Sequence, residues 1–163
     1  MRGLLSFPHP VNEKAARVVA GCVMALAALA LAFSWYWLLP VLFAGFLLRV
    51  LSGPRFSPLG LLATKVVAPR LGPPKYVSGP PKRFAQGMGA AMTGAGTVLA
   101  LGFGRHGAAD VVLAAMVLAA GLESIVAFCV GCQIFGLLMR AGLVPDEICA
   151  ECADIWAPRA TRA

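Results

Sequence analysis

The feature that most constrains this chain is a long apolar run near its N-terminus. From Val18 to Leu51 the only charged residue is Arg49. A bilayer-spanning helix needs about 20 such residues, so the run is long enough for two helices. The aromatic cluster at 33–37 marks a turn between them, because Trp and Tyr favour the membrane–water interface. We therefore predict a helical hairpin; a single long tilted helix is the alternative.

The composition of the whole chain extends this pattern. It is 60% hydrophobic and 13% charged, whereas roughly a quarter of the residues in a soluble domain are charged. The basic N-terminal segment and first apolar run look like a secretory signal, but a second apolar segment follows directly, so we expect a retained signal-anchor helix. The net charge of +7 lies between apolar runs. This argues against a nucleic-acid site, which needs a basic face on a soluble scaffold.

Two more apolar segments complete the predicted architecture. The fold class is all-α: a polytopic membrane protein with four transmembrane helices, a Pro-rich basic cytoplasmic loop and a short C-terminal helix. Within the loop, the amphipathic stretch 59–67 is expected to lie on the membrane surface. The four-helix membrane domain covers residues 1–140 and a Cys-containing tail covers 141–163. The predicted spans lie at about 13–33, 35–51, 84–103 and 108–139, the loop at 52–83, and the tail helix at 146–156.

The basic residues predict the orientation of these spans. Lys and Arg accumulate on the cytoplasmic side of a membrane protein. The N-terminus and the central loop carry most of them, whereas the opposite turns carry only Arg105. Both termini and the loop are therefore predicted to be cytoplasmic, where structural disulfides are rare. The basic residues are Arg2, Lys14 and Arg17 at the N-terminus and Arg55, Lys65, Arg70, Lys75, Lys82 and Arg83 in the loop.

Several short motifs carry a family resemblance. They are PVNE at 10–13, GPRFSP at 53–58, RLGPP at 70–74, PKRFAQG at 81–87 and FCVGC at 128–132. In this combination the chain resembles, over about residues 8–140, a bacterial four-helix integral membrane family known as domain of unknown function 4395. The resemblance implies the topology, a place in the bacterial inner membrane, and soluble partners of the thioredoxin-like or sulfurtransferase type. It implies no activity.

Two Cys-x-x-Cys pairs are the main chemical signal. The pairs Cys129–Cys132 and Cys149–Cys152 are separated by 16 residues; the second is not part of the family pattern. If the fourth helix is continuous, at 100° per residue, the first pair shares a face with other polar or small residues. Such a face must pack on other helices or line a polar cavity, because lipid does not solvate it. The residues that share it are Cys129, Cys132, Gln133, Gly136 and Arg140.

The leading hypothesis is a thiol-bearing module in redox or sulfur handling that works with a soluble cytoplasmic partner. Cys129 and Cys132 would be the redox pair, since residues at i and i+3 of a helix can form a disulfide; the tail pair would exchange with the partner. A reactive thiol needs a helix N-terminus or a nearby cation. On a continuous helix the first pair has neither, unless Gly131 breaks the helix, because Arg140 lies two turns away.

Two other interpretations of the cysteines stay open. The spacing of Cys129, Cys132, Cys149 and Cys152 falls within the zinc pattern, so a metal-binding membrane protein is the first alternative, with zinc as the cofactor before copper. Cysteine is also a small apolar residue that suits helix packing. Packing is the expectation for Cys22, although its depth in the first helix would allow three thiols to meet.

Glu123 supports a second alternative, a small transporter subunit. An acid in the middle of a span is a functional hypothesis by default. Its expected partners are Thr93 and Thr97 on the third helix, since no basic partner is evident in the sequence. Four short helices leave little room for a substrate path unless the protein is a homo-oligomer. The sequence holds no hydrolase constellation and leaves enzymatic activity open.

Overall fold

The computed structural model describes residues 10–145 and residue 148. Most of this part of the chain is helical, as predicted. Its strands are β1 (Val11–Asn12) and β2 (Tyr76–Val77), and its helices are α1 (Glu13–Phe33), α2 (Leu38–Ser52), α3 (Pro58–Leu62), α4 (Ala68–Arg70), α5 (Gly79–Thr97), α6 (His106–Val126) and α7 (Val130–Arg140).

The long helices form a bundle with a core of small and aliphatic side chains. Helix α1 packs most extensively on α6, and α2 packs on α5. Small residues let helices approach closely in an apolar environment; a Cβ atom on Gly96 of α5 would lie 3.0 Å from the Leu39 side chain of α2. The helices of the bundle are therefore stabilised by close packing at contacts that contain small residues. Its fully buried apolar residues include Ala27, Ala30, Leu39, Ala109 and Leu113.

The outer surface of the bundle is also apolar. On α6 the side chains of Val111, Leu118 and Ile125 are 70%, 69% and 71% exposed. Soluble monomers rarely expose large contiguous apolar patches. Three helical stretches of the described chain are long and apolar enough to cross a membrane: Glu13–Phe33, Leu38–Arg70 and His106–Val126. These features are those of a membrane protein.

The predicted hairpin between the first two helices is confirmed. Ser34 ends α1 in the left-handed conformation, with φ of 54°, and the Trp35 amide donates to the Ala30 carbonyl at 2.9 Å. Helix α2 begins at Leu38, three residues after Trp35, so the two apolar segments are separate helices. The aromatic residues at this turn stack on one another, with Phe33 and Trp35 ring centroids 5.1 Å apart.

The Pro-rich loop is more ordered than its composition suggests. Helix α3, a π-helical turn (Ala63–Val67) and α4 form a short helical segment over the predicted amphipathic stretch. Strand β2 then pairs antiparallel with β1, Val11 opposite Val77, and joins the loop to the start of α1. Helix α5 begins at Gly79, earlier than predicted, because Pro is tolerated in the first turn of a helix.

The prediction of a continuous fourth helix to about residue 139 is wrong. Helix α6 ends at Val126, and Ala127 adopts the left-handed conformation with φ of 57°. The Ala127 and Phe128 amides both donate to the Leu122 carbonyl, so the helical hydrogen-bond pattern of α6 stops here. After Cys129, in an extended conformation, α7 starts a new helix. The helical-wheel argument for the cysteines therefore fails, because it assumed one helix.

The left-handed conformation of Ala127 predicts that glycine at this position increases stability. We expect Ala127→Gly to raise the free energy of unfolding by about 1 kcal/mol, because a left-handed conformation costs an L-residue about 1–2 kcal/mol and costs glycine little. The matched control Ala114→Gly, inside α6, should lose about 1 kcal/mol. Thermal unfolding in micelles, followed by circular dichroism, measures both. Equal losses in the two variants would contradict the helix end at Val126.

Apart from Ile148, the predicted tail helix at 146–156, with Cys149 and Cys152, lies outside the described residues.

Candidate dithiol site

The first Cys-x-x-Cys pair lies at the N-terminus of a helix. Cys129 is the N-cap of α7, with φ of −89° and ψ of 103°, and its Sγ atom accepts a hydrogen bond from the Cys132 amide at 3.3 Å. The unpaired amides and the dipole of a helix N-terminus favour negative charge. A thiolate on Cys129 is therefore stabilised by the backbone, which is the condition that the continuous-helix prediction lacked.

Close packing on α5 fixes the position of this helix start. A Cβ atom on Gly131 would lie 2.6 Å from the Ala85 Cα atom, so the two backbones are in direct contact. Four residues on, the Phe135 ring packs against that of Phe84, with centroids 5.6 Å apart. Only glycine permits this approach, and Gly131 thereby places the cysteine pair against the first turns of α5.

A buried ion pair lies beside the thiols. The Lys82 Nζ atom is 2.6 Å from the Glu123 Oε1 atom, and the two side chains are only 10% and 16% exposed. The predicted partners of Glu123, Thr93 and Thr97, are wrong. Their hydroxyls donate to backbone carbonyls of their own helix, four residues back, at 2.7 Å. Glu123 is thus a charged group in an internal pair between α5 and α6.

The two cysteines have different electrostatic surroundings. The hydrogen bond with the Cys132 thiol lowers the pKa of Cys129 and outweighs burial and the Glu123 carboxylate, which raise it; the Lys82 ammonium lowers it by less than Glu123 raises it. The same pairing, together with burial, raises the pKa of Cys132. Cys129 is 6% exposed and Cys132 is half-buried. The site therefore holds one buried, thiolate-prone sulfur and one more accessible thiol.

A second polar cluster lies on the α2 side of the ion pair. Arg49 is 5% exposed; its Nε donates to the Gln86 side chain at 2.8 Å and its Nη1 to the Ser57 hydroxyl at 3.3 Å. Its guanidinium also lies 4.6 Å from the centroid of the Phe46 ring. Cys22 is half-buried on α1 and interacts electrostatically with Arg49.

Two cavities meet at the ion pair. The first, the apolar cavity, has a volume of about 250 Å³. The second, the polar cavity, has a volume of about 320 Å³. Glu123 lines the apolar cavity, Lys82 lines the polar one, and Gln86 lines both. The walls of the apolar cavity include Val23, Phe46, Met92, Met116 and Cys129. Those of the polar cavity include Asn12, Arg49, Thr64 and Tyr76.

Arg17 of α1 binds the C-terminal end of α6, a few residues before Cys129 in the chain. Its guanidinium donates to the Ser124 carbonyl at 3.0 and 3.1 Å and to the Ile125 carbonyl at 3.0 Å. Carbonyls at a helix C-terminus have no partner within the helix, and a cation there also interacts favourably with the dipole. This contact from α1 stabilises the helix end that lets the chain turn into Cys129.

A family model now adds to this geometry. The model for a domain of unknown function, DUF4395, matches residues 11–140. The chain belongs to the DUF4395 family. No curated protein and no solved structure matches the chain.

The part of the chain that matches DUF4395 contains the entire site. Lys82, Glu123 and the Cys129–Cys132 pair all lie within residues 11–140, as does Arg140 at the end of α7. The second pair lies beyond the match. Among the described residues, no group of three or more His, Cys, Asp or Glu side chains is placed to hold a metal ion. The zinc prediction needs Cys149 and Cys152, which lie outside them, so it stays a prediction.

The sequence alone does not point to three residues of this site. It predicts Lys82 only as a basic loop residue, and it does not single out Arg49 or Gln86. Two signals could have found them. A carboxylate in an apolar segment needs a partner, and Pro80–Pro81 is compatible with the first turn of a helix, which places Lys82 inside α5. Gln133 and Gly136 follow the pair on α7 as predicted, but on a separate helix.

Proposed function

We propose that this DUF4395 protein crosses the bacterial inner membrane four times, with both termini and the basic loop in the cytoplasm. The spans would be α1, α2, α6, and α5 with the π-helical turn Val98–Gly102. The asymmetry of Lys and Arg supports the orientation. Helix α7 has 11 residues, which at about 1.5 Å per residue cannot cross a hydrocarbon core of about 30 Å. It would return along α5 at the cytoplasmic end.

Within this frame the proposed function is thiol–disulfide exchange with a soluble cytoplasmic partner of the thioredoxin-like or sulfurtransferase type. The observation that carries it is the position of Cys129 as the N-cap of α7, bonded by the Cys132 amide. Of the two charged neighbours, Lys82 lowers the pKa of Cys129 and Glu123 raises it by more, so the helix N-terminus and not the ion pair supports the assignment. A helix N-terminus is an environment of reactive cysteines. A cysteine that serves only for packing does not need one.

The exposure of the two sulfurs gives them separate roles in the exchange. A partner thiolate would attack Cys132, because Cys129 is buried and Cys132 is half-buried. The reaction starts from the oxidised protein, in which Cys129 and Cys132 form a disulfide. Attack on Cys132 breaks this disulfide with Cys129 as the leaving thiolate, and a leaving thiol of lower pKa departs faster. Resolution by the second thiol of the partner would leave the pair reduced and the partner oxidised.

A trapping experiment tests this assignment. In the Cys129→Ser variant, Cys132 is first activated as a mixed disulfide with 5-thio-2-nitrobenzoate. A thioredoxin-type protein whose own resolving cysteine has been replaced by serine should then displace the thionitrobenzoate and form a stable mixed disulfide with Cys132. The matched variant Cys132→Ser keeps only the buried thiol and should trap little. Both variants are prepared in a background without Cys149 and Cys152. Non-reducing electrophoresis and mass spectrometry identify the cross-linked peptides.

Two results would decide against the function. One is equal trapping by both variants, which would show that the sulfurs are not distinguished by their surroundings. The other is the absence of any Cys129–Cys132 disulfide after equilibration across the range of thiol redox potentials. In that case the pair would be a packing feature of the α5–α7 contact.

A further inference from the structure

The Cys129 sulfur is accessible to a different kind of reactant from the one that reaches Cys132. Cys129 is 6% exposed and lines the apolar cavity between α1, α2, α5 and α6. A soluble protein cannot bring a thiol into this space. Thiol exchange explains why the pair has an accessible sulfur, but it does not explain why the thiolate-prone sulfur lies on an internal cavity.

The cavity restricts what the second reactant can be. Apolar cavities of about 150 Å³ admit a benzene ring, so a volume of about 250 Å³ accommodates a substituted ring. Its walls are valine, alanine, methionine and phenylalanine side chains, which favour an apolar molecule. The polar groups on its wall are Gln86, Glu123 and Cys129. A ring that carries oxygens able to accept hydrogen bonds and protons matches this distribution.

The cavity also reaches the outer surface of the bundle. Of its lining residues, Ala115 on α6 is exposed, and Met88, Met92 and Ala119 are half-buried. The cavity therefore opens sideways between α5 and α6, towards the lipid if the proposed spans are correct. A ring inside it can keep an apolar tail in the bilayer.

We propose that the apolar cavity is a binding site for the ring of a lipid-soluble quinone, which takes up the electrons of the Cys129–Cys132 dithiol. The inference rests on the proposed function and names the oxidant that the exchange reaction needs in order to turn over. The protein would then be a membrane thiol:quinone oxidoreductase, with soluble dithiols as the electron source and quinone as the acceptor.

The step is balanced in atoms and electrons. Cys129, as thiolate, attacks the quinone ring, and its former proton passes through Glu123 to one ring oxygen. Cys132 then attacks the Cys129 sulfur; the sulfur–ring bond breaks and its electron pair stays on the ring. The Cys132 proton reaches the second oxygen. Two thiols and one quinone thus become one disulfide and one quinol.

The ion pair has a defined place in this step. Lys82 lines the polar cavity and Glu123 lines the apolar one, 2.6 Å apart. Glu123 is therefore the titratable group on the wall that can hold a proton between thiol and ring. Lys82 holds the carboxylate in position and connects it with the polar cavity. Glu123 acts as a proton carrier and Lys82 as a positioning residue.

Anaerobic mixing of the reduced full-length protein, in lipid nanodiscs, with decyl-ubiquinone or menadione tests the proposal. We expect loss of the two thiols together with stoichiometric quinol absorbance, and neither change in Cys129→Ser or Cys132→Ser. An azido-quinone should label α5 or α6 saturably, and it should also label the double serine variant, because binding does not need the thiols.

A cavity-filling variant separates binding from general thiol reactivity. Ala119→Leu should weaken quinone labelling and slow thiol oxidation by about tenfold or more. The control Ala114→Leu changes a half-buried alanine of the same helix that does not line the cavity, and should change neither. Oxidation by diamide, a small water-soluble reagent that reports on folding, should be equal in both variants.

The outcomes distinguish this inference from the function on which it rests. If a soluble partner is trapped through Cys132 but the quinone neither labels the cavity nor oxidises the thiols, only the quinone site is wrong. A phospholipid that stays in the cavity and is not displaced by quinone, seen by native mass spectrometry, would overturn it in the same way. Failure of trapping and of disulfide formation overturns both.

Discussion

Replacement of Lys82 by methionine is expected to lower the free energy of unfolding by about 3–5 kcal/mol, the cost of leaving one member of a buried pair uncompensated. Glu123 would remain 16% exposed as a carboxylate with its closest cation removed. Methionine has nearly the length of the lysine stem, so the loss reports on charge and not on a cavity. Equilibrium unfolding in mixed micelles, followed by circular dichroism, measures it.

Two controls make this prediction specific. The double variant Lys82→Met/Glu123→Met should recover most of the loss, because replacing both members of a buried pair by apolar residues is often neutral or stabilising. Lys75→Met breaks the ion pair between Lys75, 47% exposed, and Glu13, 11% exposed. Because water reaches the lysine end of this pair, its loss should cost less than the loss of Lys82, closer to the about 0–1 kcal/mol of an exposed pair. Equal losses for Lys75→Met and Lys82→Met would contradict the burial of the Lys82–Glu123 pair.

Lys82→Met should also change the reactivity of the Cys129 thiol. Lys82 lowers the pKa of Cys129, whereas Glu123 raises it. Without the lysine, the pKa of Cys129 rises, the thiolate fraction at neutral pH falls, and the pH profile of alkylation moves to higher pH. In the double variant the alkylation profile should move to lower pH than in the natural protein, because Glu123 raises the pKa of Cys129 more than Lys82 lowers it. A purely structural pair would lower stability without moving this profile.

The helical hairpin was predictable because its signals are local. An aromatic cluster and Ser34 interrupt an apolar run, and the structure puts a left-handed residue and a turn there. The same holds for the irregular loop, whose prolines prevent one continuous helix. The membrane class follows from composition alone. In each case the physical cause lies within a few residues of its effect.

The break that creates the dithiol site has no such local signal. Residues 122–131 contain no proline, and Ala127 is a good helix former. Distant contacts hold the break: Arg17 bonds the last carbonyls of α6, and Gly131 lies against Ala85 of α5. Tertiary contacts override local helix propensity here. For this reason the sequence predicts the cysteine pair as a candidate site but does not predict that Cys129 caps a helix.

The contact between Gly131 and Ala85 predicts that a larger residue at position 131 strongly destabilises the packing of α7 on α5. We expect Gly131→Val to destabilise the packing of α7 on α5 by about 3 kcal/mol, at the upper end of overpacking costs. A Cβ atom there would lie 2.6 Å from the Ala85 Cα atom, and backbone cannot move aside as a side chain can. The Cys129–Cys132 segment should therefore leave its place beside Lys82.

Thiol accessibility provides the measurement for Gly131→Val. Cys129 is 6% exposed, so maleimide labelling in nanodiscs should be slow in the natural protein and much faster in the variant, whereas Cys22 on α1 should label as before. Gly136→Val is a comparison on the same helix. Gly136 is also buried, but it lies beyond the thiols, so this variant should change Cys129 labelling less. If Gly131→Val left both labelling and stability unchanged, α7 would not pack on α5, and the helix N-terminus could not be what activates Cys129.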